Sequence, residues 1–175
     1  MRLFIGIALS PDVRALLKRE ADELSAYMRG KFSLESNYHV TLAFLGQHEE
    51  DELPRIRAAM DAAAAGHSPF DIRIGGIGAF KKGNRQIVWA GVKPCKELQN
   101  LQSSLCRELR AREIAFSDEG AYRPHITLAR QCDIVPLPDG AAHANQHVGE
   151  IVLFESARRE GILRYTPINR VRLTR

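Results

Sequence analysis

Cysteine is scarce in this chain of 175 residues: Cys95, Cys106 and Cys132 are an odd number with no Cys-x-x-Cys spacing. That argues against a disulfide framework and predicts reduced, buried thiols of the kind found in the cytoplasm. Long apolar runs are missing too. No stretch approaches the roughly 20 residues a membrane-crossing helix needs, so no membrane partner is expected. The opening MRLFIGIALS is short and lacks a small-residue cleavage site; it reads as a first strand rather than a signal peptide. A phosphate-binding loop is also lacking. Gly75-Gly76-Ile77-Gly78 follows Ile74 within a strand pattern and no Lys-Ser/Thr comes after it, so it reads as a bulge or bend. ATP-dependent chemistry therefore has no visible machinery. His143 and His147 have an H-x3-H spacing without a third ligand nearby, and no acidic pair suits a metal-dependent nuclease. Neither a metal nor a cofactor is expected.

What is present is an ordinary globular balance, with 45% hydrophobic and 26% charged residues, enough for the core of one domain. The net charge of +4 is small but unevenly spread. Lys81, Lys82 and Arg85 cluster, as do Arg158, Arg159, Arg164, Arg170, Arg172 and Arg175, which suits a polyanionic partner or a solvated basic face. Residues 2–9 alternate as a strand. Ser10 and Pro11 open a helix over about 11–28, with Val13, Leu16, Leu17, Ala21 and Leu24 on one face. A strand over 38–45 ends at Gly46; Glu49, Glu50 and Asp51 precede a second helix that Gly66 closes. Strands over 70–77 and 86–92 flank a moderately long turn at 81–85, and a third helix spans about 95–112. A strand at 122–130 is followed by a long surface loop over 133–149, then closing strands at 149–156 and 163–173.

Two strings stand out. Tyr38-His39-Val40-Thr41-Leu42 recurs 86 residues later as Pro124-His125-Ile126-Thr127-Leu128. In a strand, residues i and i+2 share a face, so each string presents His and Thr together. Two such strands brought side by side converge two imidazoles and two hydroxyls. An imidazole titrates near pH 6.5 and can act as acid or base at neutrality, and hydroxyls can stabilise non-bridging phosphate oxygens. The motif repeat suggests an internal duplication, although the rest of the two halves matches only weakly.

Carried by RLFIGIAL near the N-terminus, YHVTLAFLG at 38–46, RQIVWAGV at 85–92 and YRPHITLAR at 122–130, the chain resembles the 2H phosphoesterase superfamily, and within it the RNA 2′,3′-cyclic phosphodiesterase branch also called 2′-5′ RNA ligase. The resemblance implies an α+β, bilobal fold in which two pseudo-symmetric antiparallel sheets surround a central cleft with helices outside. It implies a single domain over 1–175, its two interleaved lobes each carrying one motif, at 39–42 and 125–128. The implied reaction is hydrolysis of RNA 2′,3′-cyclic phosphate ends to 2′-phosphomonoesters, together with reversible 2′-5′ RNA ligation. The implied catalytic residues are His39, His125, Thr41 and Thr127. The resemblance favours His39 as general acid on the leaving O3′ and His125 as general base, an order the residues alone leave open.

Arg130, three residues beyond Thr127, is the leading phosphate clamp, because a guanidinium forks onto two oxygens. Arg123 suits either substrate contact or positioning of the second strand. Tyr38, Phe44 and Tyr122 are candidates for lining the cleft and stacking a base; Phe80 invites the same reading, whereas Trp89 reads as packing. The expected partner is RNA with cyclic phosphate ends, tRNA fragments included, bound by a cytoplasmic monomer. Two alternatives stay open: a phosphodiesterase on small nucleotides such as ADP-ribose 1″,2″-cyclic phosphate, and a non-catalytic module that holds RNA ends.

Overall fold

Strand β1 (Arg2–Ala8) forms where the sequence alternates, and helix α1 (Pro11–Ser25) follows with the Ser10 hydroxyl accepting from the Val13 amide. The computed structural model describes residues 1–139 and 142–175. Helix α1 stops short of residue 28 because the chain must turn at Gly30, against Cys132, to lay the two-residue strand β2 (Lys31–Phe32) beside a later strand. The first motif strand, β3 (His39–Gln47), runs through Gly46 rather than ending there. A single 3₁₀ turn at Glu50–Glu52 leads into α2 (Leu53–Ala64).

Strands β4 (Phe70–Lys82) and β5 (Arg85–Val92) are joined by Gly83-Asn84 alone, a tighter hairpin than the moderately long turn expected at 81–85. Gly83 supplies the positive φ, at 60°, that such a two-residue turn demands. Helix α3 (Lys96–Ala111) buries Leu98, Leu101, Leu105 and Leu109, as its spacing predicts. The second motif strand is β6 (His125–Cys132). The loop expected over 133–149 is corrected at its end: β7 (His143–Val148) pairs with β4, which supplies the backbone partners that composition cannot reveal. Gly140 and Ala141, within that expected loop, lie outside the described residues. Strands β8 (Glu150–Arg159) and β9 (Ile162–Arg172) close the chain through a tight Glu160-Gly161 turn.

Two antiparallel sheets result. One has the order β3-β1-β8-β9, the other β2-β6-β5-β4-β7. The halves of the chain therefore interleave, since the first sheet combines the two earliest long strands with the two last. Strands β3 and β6 approach each other where the sheets meet. Val40, Leu42, Ile126 and Leu128, the residues between and after His and Thr, are buried in the core, which leaves His and Thr of each motif on the opposite, cleft-facing side.

Both motif strands then break register in the same way. Opposite β1, Thr41 pairs with Gly6 and Ala43 with Ile5, so Leu42 is an extra residue. Opposite β5, Thr127 pairs with Trp89 and Ala129 with Val88, so Leu128 is the extra residue. Each bulge inverts the alternation beyond it. Phe44 and Arg130, both three residues after Thr, are thereby returned to the cleft face.

Gly6 lies directly beneath this arrangement. A Cβ there would sit 2.6 Å from the Val40 carbonyl oxygen and 3.5 Å from Cδ2 of His39. The obstacle is backbone and cannot rotate away. Gly6→Ala is expected to cost about 1–3 kcal/mol of stability, read as a lowered urea midpoint; an unchanged midpoint would show that β1 and β3 can separate freely.

Candidate active site

The two imidazoles are held by one repeated device. His39 Nδ1 lies 2.7 Å from the Asn37 carbonyl oxygen, and His125 Nδ1 lies 2.7 Å from that of Arg123. A carbonyl only accepts, so Nδ1 carries the proton in both rings and Nε2 of the neutral ring is a lone pair. In His39 that lone pair stands 2.8 Å from the Thr41 hydroxyl, which can donate to it. The rings differ in enclosure. Phe4, Tyr165 and Phe154 surround His39, with ring centroids at 4.6, 5.2 and 6.0 Å. Among the described residues His125 has only Phe80 edge-on at 5.0 Å and Trp89 at 6.2 Å as ring neighbours.

Burial accordingly pushes His39 from 6.5 down to about 4, and the charges of Arg130 and His125 push the same way against the favourable bond to Asn37. His125 is also lowered, first by burial, then by Arg130 and Arg123. Arg130 thus lowers the proton affinity of both imidazoles.

Cavities flank the pair. One of about 560 Å³ lies on the His39 side, where Arg2, Arg130, Arg158, Phe44 and Tyr165 line it. The other, about 520 Å³, lies on the His125 side beside Phe80, Tyr122 and Arg123. Thr41 and Phe44 border both. The charges differ sharply. The His39 cavity is lined by three arginines with no carboxylate among its described residues. On the His125 side, Arg110 and Arg123 face Asp118 and Glu119, and Arg110 is already paired with Asp118.

Most sequence-predicted residues meet here, with one correction. Tyr38 does not line the cleft: it is 3% exposed and packed in the core, and burial raises its hydroxyl to about 12. It precedes His39 by one residue, so extended backbone points it the opposite way. Tyr122 borders the cleft, but its hydroxyl donates to the Thr41 carbonyl at 2.8 Å. That bond ties the approach to the second motif onto the first, and Ser117 adds a backbone bond to Phe44 at 2.8 Å. The guanidinium of Arg123 lies 5.2 Å from the Phe80 ring centroid. Trp89 packs across Gly78. Arg2, Phe4 and Tyr165 were not singled out from sequence, although Arg2 and Phe4 stand inside RLFIGIAL; Arg158 was visible only as one cation of a cluster. His48, in the loop after β3, is buried and bonded to Glu52 and to the carbonyls of Leu45 and Ala115.

The sequence pattern of the 2′-5′ RNA ligase superfamily matches residues 11–151. The chain belongs to that superfamily. An RNA 2′,3′-cyclic phosphodiesterase of Archaeoglobus fulgidus is 33% identical over 131 residues, covering 74% of this chain and 72% of the relative. One from Escherichia coli is 28% identical over 175 residues, covering 99% and 97%. The crystal structure of E. coli LigT complexed with 3′-AMP superposes with a TM-score of 0.85 at 26% identity, covering 99% of this chain and 98% of that one. In this superfamily member, the repeated motifs and the paired sheets coincide in one cleft.

The His39 environment has a consequence for stability. The folded ring has a lower proton affinity than the unfolded one, so the unfolded state binds more protons between pH 4 and 6.5, and stability rises with pH across that window. Acidification from pH 6.5 to below 4 is expected to remove about 3 kcal/mol through this residue. Urea unfolding of wild type and His39→Gln at pH 4.5 to 7 checks this; equal pH slopes for the two would overturn it.

Proposed function

We propose that this chain opens RNA 2′,3′-cyclic phosphate ends to 2′-phosphomonoesters without a metal, using His39 and His125 as acid and base. The observation that carries the reading is the repeated Nδ1–H-to-carbonyl bond, which points two Nε2 atoms into one cleft with Arg130 acting on both. The activity named for the relatives from A. fulgidus and E. coli supports it.

Charge orients the substrate. The polyanionic strand and its terminal ribose lie on the arginine-lined His39 side, where Phe44 and Tyr165 offer aromatic faces to the base. Water approaches from the His125 side. His125 Nε2 takes a proton as the water oxygen bonds to phosphorus, the P–O3′ bond breaks, and His39 Nε2–H protonates O3′. Thr41, Thr127 and Arg130 stabilise the non-bridging oxygens. Because His39 is neutral in the empty site, its catalytic proton arrives with the substrate: the phosphodiester charge offsets Arg130 and raises the imidazole's proton affinity. With a ribose 5′-hydroxyl in place of water, the same ring opening forms a 2′-5′ bond: His125 takes the hydroxyl proton, the P–O3′ bond breaks and His39 protonates O3′. Each lobe of a single catalytic domain thus gives one motif.

The test is incubation with an oligonucleotide bearing a 2′,3′-cyclic phosphate. A 2′-phosphate product is expected, undiminished by EDTA. His39→Ala and His125→Ala should each lower kcat by at least about 100-fold, with little change in the circular dichroism melt. Near-normal turnover in either variant, or a 3′-phosphate product, would overturn the assignment.

A further inference from the structure

Beyond the cleft, Arg130 also borders a second depression of about 650 Å³, formed with Arg29, Lys31, Lys82, Arg85 and Gln86. Five cations meet there. The carboxylate seen at its edge is that of Asp133, which sits 2.5 Å from Arg85 and accepts from the Arg29 amide. Lys31 and Lys82 have no ion pair among the described residues and stand exposed on separate elements: Lys31 pairs with Arg130 across β2 and β6, and Lys82 begins the Gly83-Asn84 turn. Gln131, held at a φ of 50°, completes the irregularity that turns Arg130 and Gln131 outward together.

The depression lies outside the His39 cavity and shares with it only Arg130 among their lining residues. We propose that the depression is a second, non-catalytic site for the sugar-phosphate backbone of single-stranded RNA, holding the nucleotides 5′ of the cyclic end, with Arg130 shared between it and the reacting phosphate. This rests on the reading that RNA ends enter the cleft, and it makes the preferred substrate an oligonucleotide rather than a small cyclic nucleotide. Lysines and arginines on flexible stems, without aromatic faces among the lining residues, fit backbone charge and not base identity, so binding here is indifferent to sequence.

The test compares wild type with the Lys31→Ala/Lys82→Ala double variant on a 12-nucleotide RNA ending in a 2′,3′-cyclic phosphate and on adenosine 2′,3′-cyclic monophosphate. For the 12-mer, KM is expected to rise about tenfold with kcat unchanged, while kinetics on the mononucleotide stay as in wild type. Fluorescence anisotropy of the same 12-mer carrying a 2′-phosphate end should weaken alike, with the slope of log affinity against log salt reduced by about 1.4 for two lost contacts. Equal losses on both substrates, no loss on the 12-mer, or equally strong competition by polyglutamate would each overturn the proposal. If wild type opens neither substrate, the catalytic reading falls, and the anisotropy difference still decides the groove.

Discussion

One hydrogen bond, made twice, governs the chemistry of this cleft: each motif histidine gives its Nδ1 proton to the carbonyl two residues upstream. Without it the imidazole could rotate or change tautomer, and Nε2 would have no fixed direction. With it, a strand that merely alternates becomes a strand that aims a lone pair. The cost is that the carbonyl acceptor must stand just before the strand, and it does so in both lobes, at Asn37 and Arg123. The rest of the site depends on this orientation, because Arg130, Thr41 and the aromatic walls matter only to rings that face the cleft.

The two lobes share this device but not its surroundings. Phe4, Phe154 and Tyr165 enclose His39, whereas His125 meets fewer rings and an electrically balanced wall of arginines and carboxylates. The same carbonyl bond thus serves two rings with different neighbours: His39 is the more enclosed, with burial lowering it to about 4, and each ring faces a different balance of charge.

How much of this was legible in the chain follows from range. Period-two alternation places His39 with Thr41 and His125 with Thr127, because it is a local property of strands. The helical stripe of Leu98, Leu101, Leu105 and Leu109 is local too. The bulges at Leu42 and Leu128 are invisible in sequence, since an extra residue exists only relative to a partner strand. They decide that Phe44 and Arg130 face the cleft, which strict alternation would have denied. Tyr38 shows the complementary limit: an aromatic beside His39 suits a cleft wall by residue type, but adjacent residues of extended backbone face apart, which sends it into the core. The short β2 and the late β7 likewise exist only through β6 and β4.

Interleaving of the sheets has a consequence for how the cleft comes into being. Phe4 reaches the His39 ring from near the amino terminus, while Phe154 and Tyr165 reach it from the last two strands. During synthesis the walls around His125, all within residues 80–125, are available well before those around His39. Until β8 and β9 emerge and dock beside β1, the first imidazole lacks the Phe154 and Tyr165 rings that help enclose it. Full burial of His39, the main cause of its lowered proton affinity, therefore waits until the first and last strands of the sheet join.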